Sequence, residues 1–364
     1  GQALGKGDRQ ETIMILMRAG LVAILAATLI LIFQLPIADQ GLALLGVNQE
    51  LEEVTREYVL IRIWGAPAAL LLFAIQGWFL GMQNSRFPLI LAIVINGTNI
   101  GFNLLFVKVY GMTSDGVALG TVLAQYCGLL TGIGLFAWKY RSYLNDVSQA
   151  LLRKWEAYSR FFNVSRDIFL RTLCLIIVFT FFNVKSAQLG EIPLDANHIL
   201  LQFFFILSFG VDGFAYAAES LVAKFTGQGK RDQLSEAIKW LLVWGAGLGL
   251  FITLLYLLFT PWMIGWFTDQ EEIITQAMEY RWWMIGVSAA GTFAFLWDGI
   301  YIGATATKAM RNTMFVALVA FILVYLWQEP SSPNTALWAA MTTFMALRSI
   351  SLWLLSGKAI YQMN

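Results

Sequence analysis

The sequence predicts an all-α, polytopic membrane protein built from two related helical lobes. Three observations predict this fold class: the composition, a series of long apolar stretches and an internal repeat. Of the 364 residues, 58% are hydrophobic and only 13% are charged, and the mean hydropathy is +0.66. A chain with so little polar surface cannot cover a water-soluble core. We therefore expect most of it to lie in a lipid bilayer.

Ten apolar stretches in the sequence are long enough to cross a hydrocarbon core, which takes roughly 20 helical residues. Four of them lie near residues 12–34, 58–81, 87–107 and 116–138. Six more lie near residues 166–189, 198–222, 236–259, 280–304, 311–327 and 335–356. The longest polar connection separates the two groups. The sequence thus predicts an N-lobe over residues 1–139, a linker over 140–165 and a C-lobe over 166–364.

The charges in the connections predict the orientation of these helices, because Lys and Arg accumulate on the cytoplasmic side of membrane proteins. Basic residues dominate every second connection, beginning with Lys6 and Arg9. The connections between them are mainly acidic, with Arg56 and Lys108 as exceptions. This alternation predicts that the 140–165 linker lies in the cytoplasm.

A repeat at a constant offset of about 222 residues relates the two lobes. Residues 3–9 align with residues 225–231 with two glycines at matching places, and Gly81 aligns with Gly303. The second lobe opens with two helices that have no counterpart in the first. The repeat therefore predicts six plus six helices in the intact fold, with one further pair ahead of Gly1. Coincidence among the many glycines is the alternative interpretation.

The cysteine and histidine content argues against several chemistries. Cys127 and Cys174 both lie in apolar stretches, and His198 has no second imidazole with which to share a metal. We expect neither a disulfide, a metal site nor a cofactor. The sequence has no motif of a metalloprotease or another hydrolase, so an enzyme is not predicted and no catalytic residue is proposed. No dense basic face suggests a nucleic-acid partner.

Carboxylates inside the predicted membrane helices are the candidate functional residues. An ionisable group there costs about 3 kcal/mol or more, and it normally faces the bundle interior. Asp298 lies in one such helix, and Asp212 and Glu219 lie seven residues apart on one face of another. Because a buried carboxyl group can load and release a proton near neutral pH, we predict that these three residues couple transport to protons or another cation. Alternatively, Asp298 only holds a neighbouring helix, and Glu219 pairs with Lys224 near the surface.

Five polar or aromatic residues are candidates for the wall of a substrate cavity. They are Gln76, Asn99, Tyr216, Phe295 and Tyr301. Phe295 and Tyr301 share a helical face with Asp298, and Tyr216 lies on the stripe of Asp212 and Glu219. Gln76 occupies the repeat position of Asp298, so the lobes differ there. Asn99 either lines a pore or joins two helices by a hydrogen bond.

The sequence resembles the multidrug and toxic compound extrusion (MATE) transporters, and within them the branch named after DNA-damage-inducible protein F (DinF-like). Four segments carry the resemblance: "GQALGKGD" from Gly1, "SRDIFLRTLCL" from Ser165, "VDGFAYAAESLV" from Val211 and "WDGIYIGATATKAMRN" from Trp297. The resemblance implies twelve helices in two six-helix lobes of a bacterial cytoplasmic membrane protein. It also implies cation-driven export of amphipathic, often cationic, drugs and toxic compounds by alternating access.

The resemblance further implies a coupling aspartate on the first helix of the N-lobe, which is not among the stretches identified in this sequence. Some members use carboxylates on the first and fourth helices of the C-lobe. Asp298 fits the fourth helix, but residues 172–182 supply no carboxylate for the first. The pattern therefore favours protons over sodium. The expected partners are a small-molecule substrate, protons and the surrounding lipid, and we expect a monomer.

Two other functions compete with this interpretation. A related flippase for lipid-linked oligosaccharides would need a cationic cavity to hold pyrophosphate. Arg171, Arg281 and Arg348 lie near the predicted helix ends. Arg171 could either neutralise a carboxylate or point to the membrane interface. This scarcity of deep cations argues against the flippase. A channel or receptor is the alternative from another class.

Overall fold

The structure, a computed structural model, describes residues 1–45, 49–329 and 332–361, so the last residues of the expected C-lobe lie outside it. The described residues form helices and no strand, which confirms the all-α prediction. Nine of these helices are long and apolar enough to cross a membrane, and one bent pair passes the same test together. By length and composition the described chain therefore holds up to ten spans, as the sequence predicted. It divides into two compact units, one comprising Ala3–Trp155 and one beginning at Glu156.

The described residues of the first unit form six long helices. They are α1 (Arg9–Ile32), α2 (Gln34–Leu45), α3 (Gln49–Ile63), α4 (Ala66–Gly81), α5 (Arg86–Asn103) and α6 (Ser114–Tyr140). α5 continues as one π-helical stretch to Val109. Helices α3 and α4 pass the length and composition test for a membrane span only as a pair, and the pair is bent by 49°. The bend has a local cause, because Pro67 in the first turn of α4 cannot donate a backbone hydrogen bond and its ring excludes a preceding carbonyl.

In the second unit, too, the part of the chain that the structure describes forms six long helices. They are α7 (Trp155–Gln188), α8 (Glu191–Gln228), α9 (Arg231–Ile264), α10 (Glu271–Gly303), α11 (Thr307–Gln328) and α12 (Pro333–Ala359). α10 is the counterpart of the bent α3–α4 pair but runs without a break. At the position of Pro67 it has Ala289, which lets the backbone hydrogen bonds continue.

Helix α7 begins eleven residues earlier than the expected start at residue 166. Hydropathy identifies the lipid-embedded part of a helix, whereas the first turns of α7 carry polar residues such as Glu156 and Arg160. The segment between α6 and α7 is therefore shorter than the sequence suggested. Its first part is attached to α1, since Arg9 forms an ion pair of 3.2 Å with Asp146 and lies 4.3 Å from the ring centre of Tyr143.

The backbone repeats at the offset found in the sequence. α1 begins at Arg9 and α9 at Arg231, which are matching positions of the repeat. α4 ends at Gly81 and α10 at Gly303, which match in the same way. The turns before α1 and α9 each contain a glycine at positive φ, Gly7 at 72° and Gly229 at 67°. The turns after α4 and α10 each hold a non-glycine residue in the same rare conformation, with φ of 57° at both Gln83 and Thr305. Coincidental glycines cannot explain shared left-handed non-glycine residues, so the repeat is structural.

Helices α8 and α10 approach closely in the second unit because α10 presents glycines to α8. A Cβ atom added to Gly299 would lie 2.8 Å from both the carbonyl carbon and the Cα of Ala215. A Cβ added to Gly303 would lie 2.8 Å from the carbonyl oxygen of Glu219. Small residues allow membrane helices to pack at this distance. The contact fixes the turn of α10 that contains Asp298 beside α8.

Candidate functional site

Asp298 is the centre of a buried ionic cluster in the second unit. It is 4% exposed. Arg348 on α12 donates from Nη2 to Oδ2 of Asp298 at 2.7 Å, and Arg171 on α7 donates to the same oxygen. The guanidinium of Arg348 also lies 5.8 Å from the ring centre of Phe295 and 5.3 Å from that of Phe344. Three helices, α7, α10 and α12, therefore meet at one carboxylate oxygen.

The expectation that Arg348 lies near a helix end is wrong. α12 continues to Ala359, and Arg348 is 0% exposed. For Arg171 the structure selects one of the two interpretations left open, because its guanidinium binds Asp298. Arg281 instead bonds within its own helix, donating to the carbonyl of Met278 at 3.2 Å. The sequence offered Arg171 as a possible partner of a carboxylate, but it carried no signal for Arg348, because that pairing depends on which helices become neighbours.

The two other candidate carboxylates lie on α8. Asp212 and Glu219 are both half-buried, and Tyr216 between them is 50% exposed. Both carboxylates lie on the part of α8 that packs against α10, where Ala215 meets Gly299 and Glu219 meets Gly303. The structure thus brings together the three carboxylates that the sequence identified, with one of them already bound by two cations.

The candidate cavity residues of the second unit differ in their surroundings. Phe295 is half-buried beside Arg348. Tyr301 is fully buried, and its hydroxyl donates to the carbonyl of Leu352 at 2.6 Å. In this conformation Tyr301 packs between helices, whereas Tyr216 and Phe295 present aromatic surface.

The remaining cavity candidates lie in the first unit. Gln76 is half-buried on α4. Asn99 on α5 donates to Oγ1 of Thr121 on α6 at 3.0 Å, and it accepts a hydrogen bond of 3.2 Å from Asn103. The amide of Asn99 therefore joins two helices, as one of the two interpretations held.

A second buried ion pair was missed by sequence reasoning. Asp167 on α7 is buried and accepts a hydrogen bond of 2.6 Å from Arg311 on α11. Near the other end of α7, Lys185 lies 3.6 Å from Glu329. These pairs attach α7 to α11 on either side of Arg171. Within the residues that the structure describes, no three His, Cys, Asp or Glu side chains are grouped so that they could hold a metal ion.

A duplicated set of apolar helices with paired charges inside them defines a class: multi-pass membrane proteins of the internal-repeat transporter type. The chain belongs to the MatE family, the multidrug and toxic compound extrusion transporters. The MatE family profile matches residues 1–105 and 168–326. Over 353 residues the chain is 34% identical to DNA damage-inducible protein F of Escherichia coli (strain K12), in a match that covers 96% of this chain and 76% of that protein.

Other relatives agree with this assignment. The chain is 26% identical over 296 residues to Protein DETOXIFICATION 44, chloroplastic, of Arabidopsis thaliana, covering 81% of this chain but only 56% of that protein. The fold matches the crystal structure of the Vibrio cholerae MATE transporter VcmN in the bent form with a TM-score of 0.85 at 16% identity. That match covers 99% of this chain and 82% of the other.

Proposed function

We propose that this protein is a proton-coupled antiporter of the bacterial cytoplasmic membrane that exports amphipathic, often cationic, compounds by alternating access and works as a monomer. Membership of the MatE family supports small-molecule export. The observation that carries the coupling proposal is the group of three carboxylates, Asp212, Glu219 and Asp298, inside the apolar helices of one unit. Charged groups at that depth are rarely retained without a role in transport.

The three carboxylates have different parts in this proposal. Protonation of Asp298 would leave two guanidinium groups facing a neutral acid, whereas protonation of Asp212 or Glu219 leaves the ion pairs of Asp298 intact. We therefore assign proton loading first to Asp212 and Glu219. Asp298 lies next to Gly299, which packs directly against α8, so it stays close to both of these groups.

Aromatic surface beside these carboxylates suits an amphipathic substrate. Tyr216 is 50% exposed on α8, and Phe295 is half-buried on α10. Aromatic faces bind organic cations through their negative quadrupole. Gln76, Asn99 and Tyr301 remain proposed cavity residues for a conformation in which their helices separate.

Efflux from proteoliposomes under an imposed pH gradient tests the proposal. The full chain should export a cationic dye only while the gradient lasts, and Asp212→Asn and Glu219→Gln should reduce the rate at unchanged protein content. Asp232→Asn is the matched control, because Asp232 is exposed in the first turn of α9. Proton coupling would be refuted if the unchanged protein exported the dye at the same rate without a pH gradient and its export depended on a sodium gradient instead.

The lipid-linked oligosaccharide flippase remains the second candidate, because one observation now favours it. Arg171 and Arg348 supply buried positive charge that was not evident from the sequence. Transfer of a fluorescent pyrophosphate-linked lipid between leaflets, with no dye efflux in the same vesicles, would select this function. Passive dye movement that stops once the dye concentration is equal on both sides of the membrane would instead indicate a channel.

A further inference from the structure

We propose that the segment between α6 and α7, residues 141–154, is a membrane anchor that binds the phosphate groups of anionic phospholipids in the cytoplasmic leaflet. We call this segment the strap. It consists of a short 3₁₀ helix (Arg141–Asp146) and a single α-helical turn (Gln149–Leu152). The inference goes beyond the proposed transport function, because it gives a lipid partner to a segment that contains none of the three candidate carboxylates.

The strap is attached along the side of α1. Arg9, the first residue of α1, pairs with Asp146 at 3.2 Å, and Gln10 donates to the backbone carbonyl of Asp146 at 3.2 Å. Arg18, further along the same helix, donates to the backbone carbonyl of Leu151 at 3.3 Å. The strap therefore follows α1 over its first turns instead of projecting away from it.

This attachment places the strap at the depth of the lipid headgroups. α1 has 24 residues, so it is about 36 Å long, whereas the hydrocarbon core is about 30 Å thick. Its first turn is polar, and the apolar stretch begins near residue 12. The side chain of Arg18 reaches back to this polar turn, since its guanidinium pairs with Glu11 at 2.8 Å. The first turn of α1 and the strap beside it thus lie in the headgroup layer.

The strap carries more positive than negative charge. Its basic residues are Arg141, Arg153 and Lys154. All three are exposed, and none of them forms an ion pair within the described part of the chain. The one acidic residue of the strap, Asp146, is already paired with Arg9. Exposed cations of this kind attract anionic lipids.

The acidic side chains that border the strap do not cancel this charge. Asp8 accepts a hydrogen bond of 2.8 Å from the backbone N–H of Glu11 at the start of α1, and Glu11 pairs with Arg18. Glu156 lies in the first turn of α7, where the helix dipole favours a negative charge. Over residues 1–18 and 139–156 together, seven basic residues outnumber four acidic ones.

Exposed apolar side chains favour a phospholipid over a soluble anion as the ligand. Leu144 in the strap is 44% exposed, and Trp155 directly after it is 74% exposed. Tryptophan is enriched at membrane–water interfaces, where its ring lies at the level of the headgroups. Cations beside apolar side chains match the phosphate and the upper acyl chain of one lipid molecule, whereas a free phosphate would use the cations alone.

Fluorescence quenching by lipids tests the proposal on the purified full chain in liposomes. A bimane dye is attached through Gln149→Cys, at an exposed position of the strap, in a background without the two native cysteines. Phosphatidylglycerol or phosphatidylcholine with brominated acyl chains is the quencher, and phosphatidylglycerol should quench more strongly at equal mole fraction. Arg153→Gln and Lys154→Gln should each lower this preference by up to about fivefold. Removal of all three strap cations should abolish it.

Two further variants are the controls. Lys108→Gln should leave the preference unchanged, because Lys108 is an exposed basic residue of the first unit outside the strap. Arg153→Lys keeps the charge and should keep the preference, which separates loss of charge from misfolding. Equal quenching by the two lipids when the strap is intact would overturn the proposal. An unchanged preference without the three cations would do the same, and so would displacement of phosphatidylglycerol by free glycerol phosphate, since the strap would then bind a soluble phosphate.

Discussion

The close contact between α8 and α10 predicts that Gly299→Ala is destabilising. The added Cβ would lie 2.8 Å from two backbone atoms of Ala215, which is much shorter than an ordinary van der Waals contact. A side chain could rotate out of the way, but a backbone inside a helix cannot. The helices must therefore separate, and Asp212 and Glu219 on α8 must move away from Asp298.

The magnitude follows from two opposing effects. Overpacking costs about 3 kcal/mol at the upper end of its usual range, which applies here because the obstacle is backbone. Replacing a helical glycine by alanine returns about 1 kcal/mol through helix propensity. The expected net loss in the free energy of unfolding is therefore about 2 kcal/mol.

Gly286→Ala provides the matched control. Gly286 lies on the same helix, and a Cβ added there meets no atom within 4 Å. This variant should gain about 1 kcal/mol, so the two variants should differ by about 3 kcal/mol, or roughly 6–12 °C in melting temperature. Thermal unfolding of the purified protein in detergent, followed by tryptophan fluorescence, measures the difference. Equal melting temperatures for both variants would refute the close-packing argument.

Three further predictions concern charge. Asp298→Asn should give folded, membrane-inserted protein with impaired efflux under a pH gradient in proteoliposomes, and Gln76→Glu should not restore it; wild-type efflux would mean that Asp298 is only a structural hydrogen bonder. A single cysteine placed at Ser148 in a cysteine-free background should resist an impermeant thiol reagent added to intact cells, and ready labelling would contradict a cytoplasmic linker. Asp167→Asn should lower the free energy of unfolding by about 3–5 kcal/mol, because Arg311 is left without its buried partner; an unchanged unfolding midpoint in denaturant would argue against that ion pair.

Helix content and the repeat could be predicted from the sequence because both depend on local pattern. A window of about 20 apolar residues identifies a span whatever its neighbours are. The repeat offset followed from glycines. In the structure Gly7 has a positive φ that other residues rarely adopt, and Gly303 makes a close contact that leaves no room for a side chain. The same dependence on hydropathy explains why the start of α7 was placed too late. Its first turns are polar, so a window of apolar residues does not detect them.

The ion pairs could not be predicted because they depend on which helices become neighbours. Arg348 and Asp298 are separated by 50 residues, and Arg171 and Asp298 by 127. Hydropathy places each of these residues along its own helix but does not determine the rotation of that helix. The sequence therefore identified Asp298 as exceptional and left Arg171 open as the partner of a carboxylate, but it did not identify Arg348.

The comparison of the two units separates the requirements of the fold from those of function. The repeat reproduces helix ends and even the positive φ of Gln83 and Thr305, so both units use one backbone design. It does not reproduce the charges: the position of Asp298 is occupied by Gln76 in the first unit, and that of Arg348 by Tyr126. The Asp298–Arg348 ion pair is therefore not a requirement of the backbone that the two units share, although the first unit has no counterpart of α7, which carries Arg171. Because a buried ion pair is costly, its presence in one unit alone supports the proposed role of Asp298 in transport.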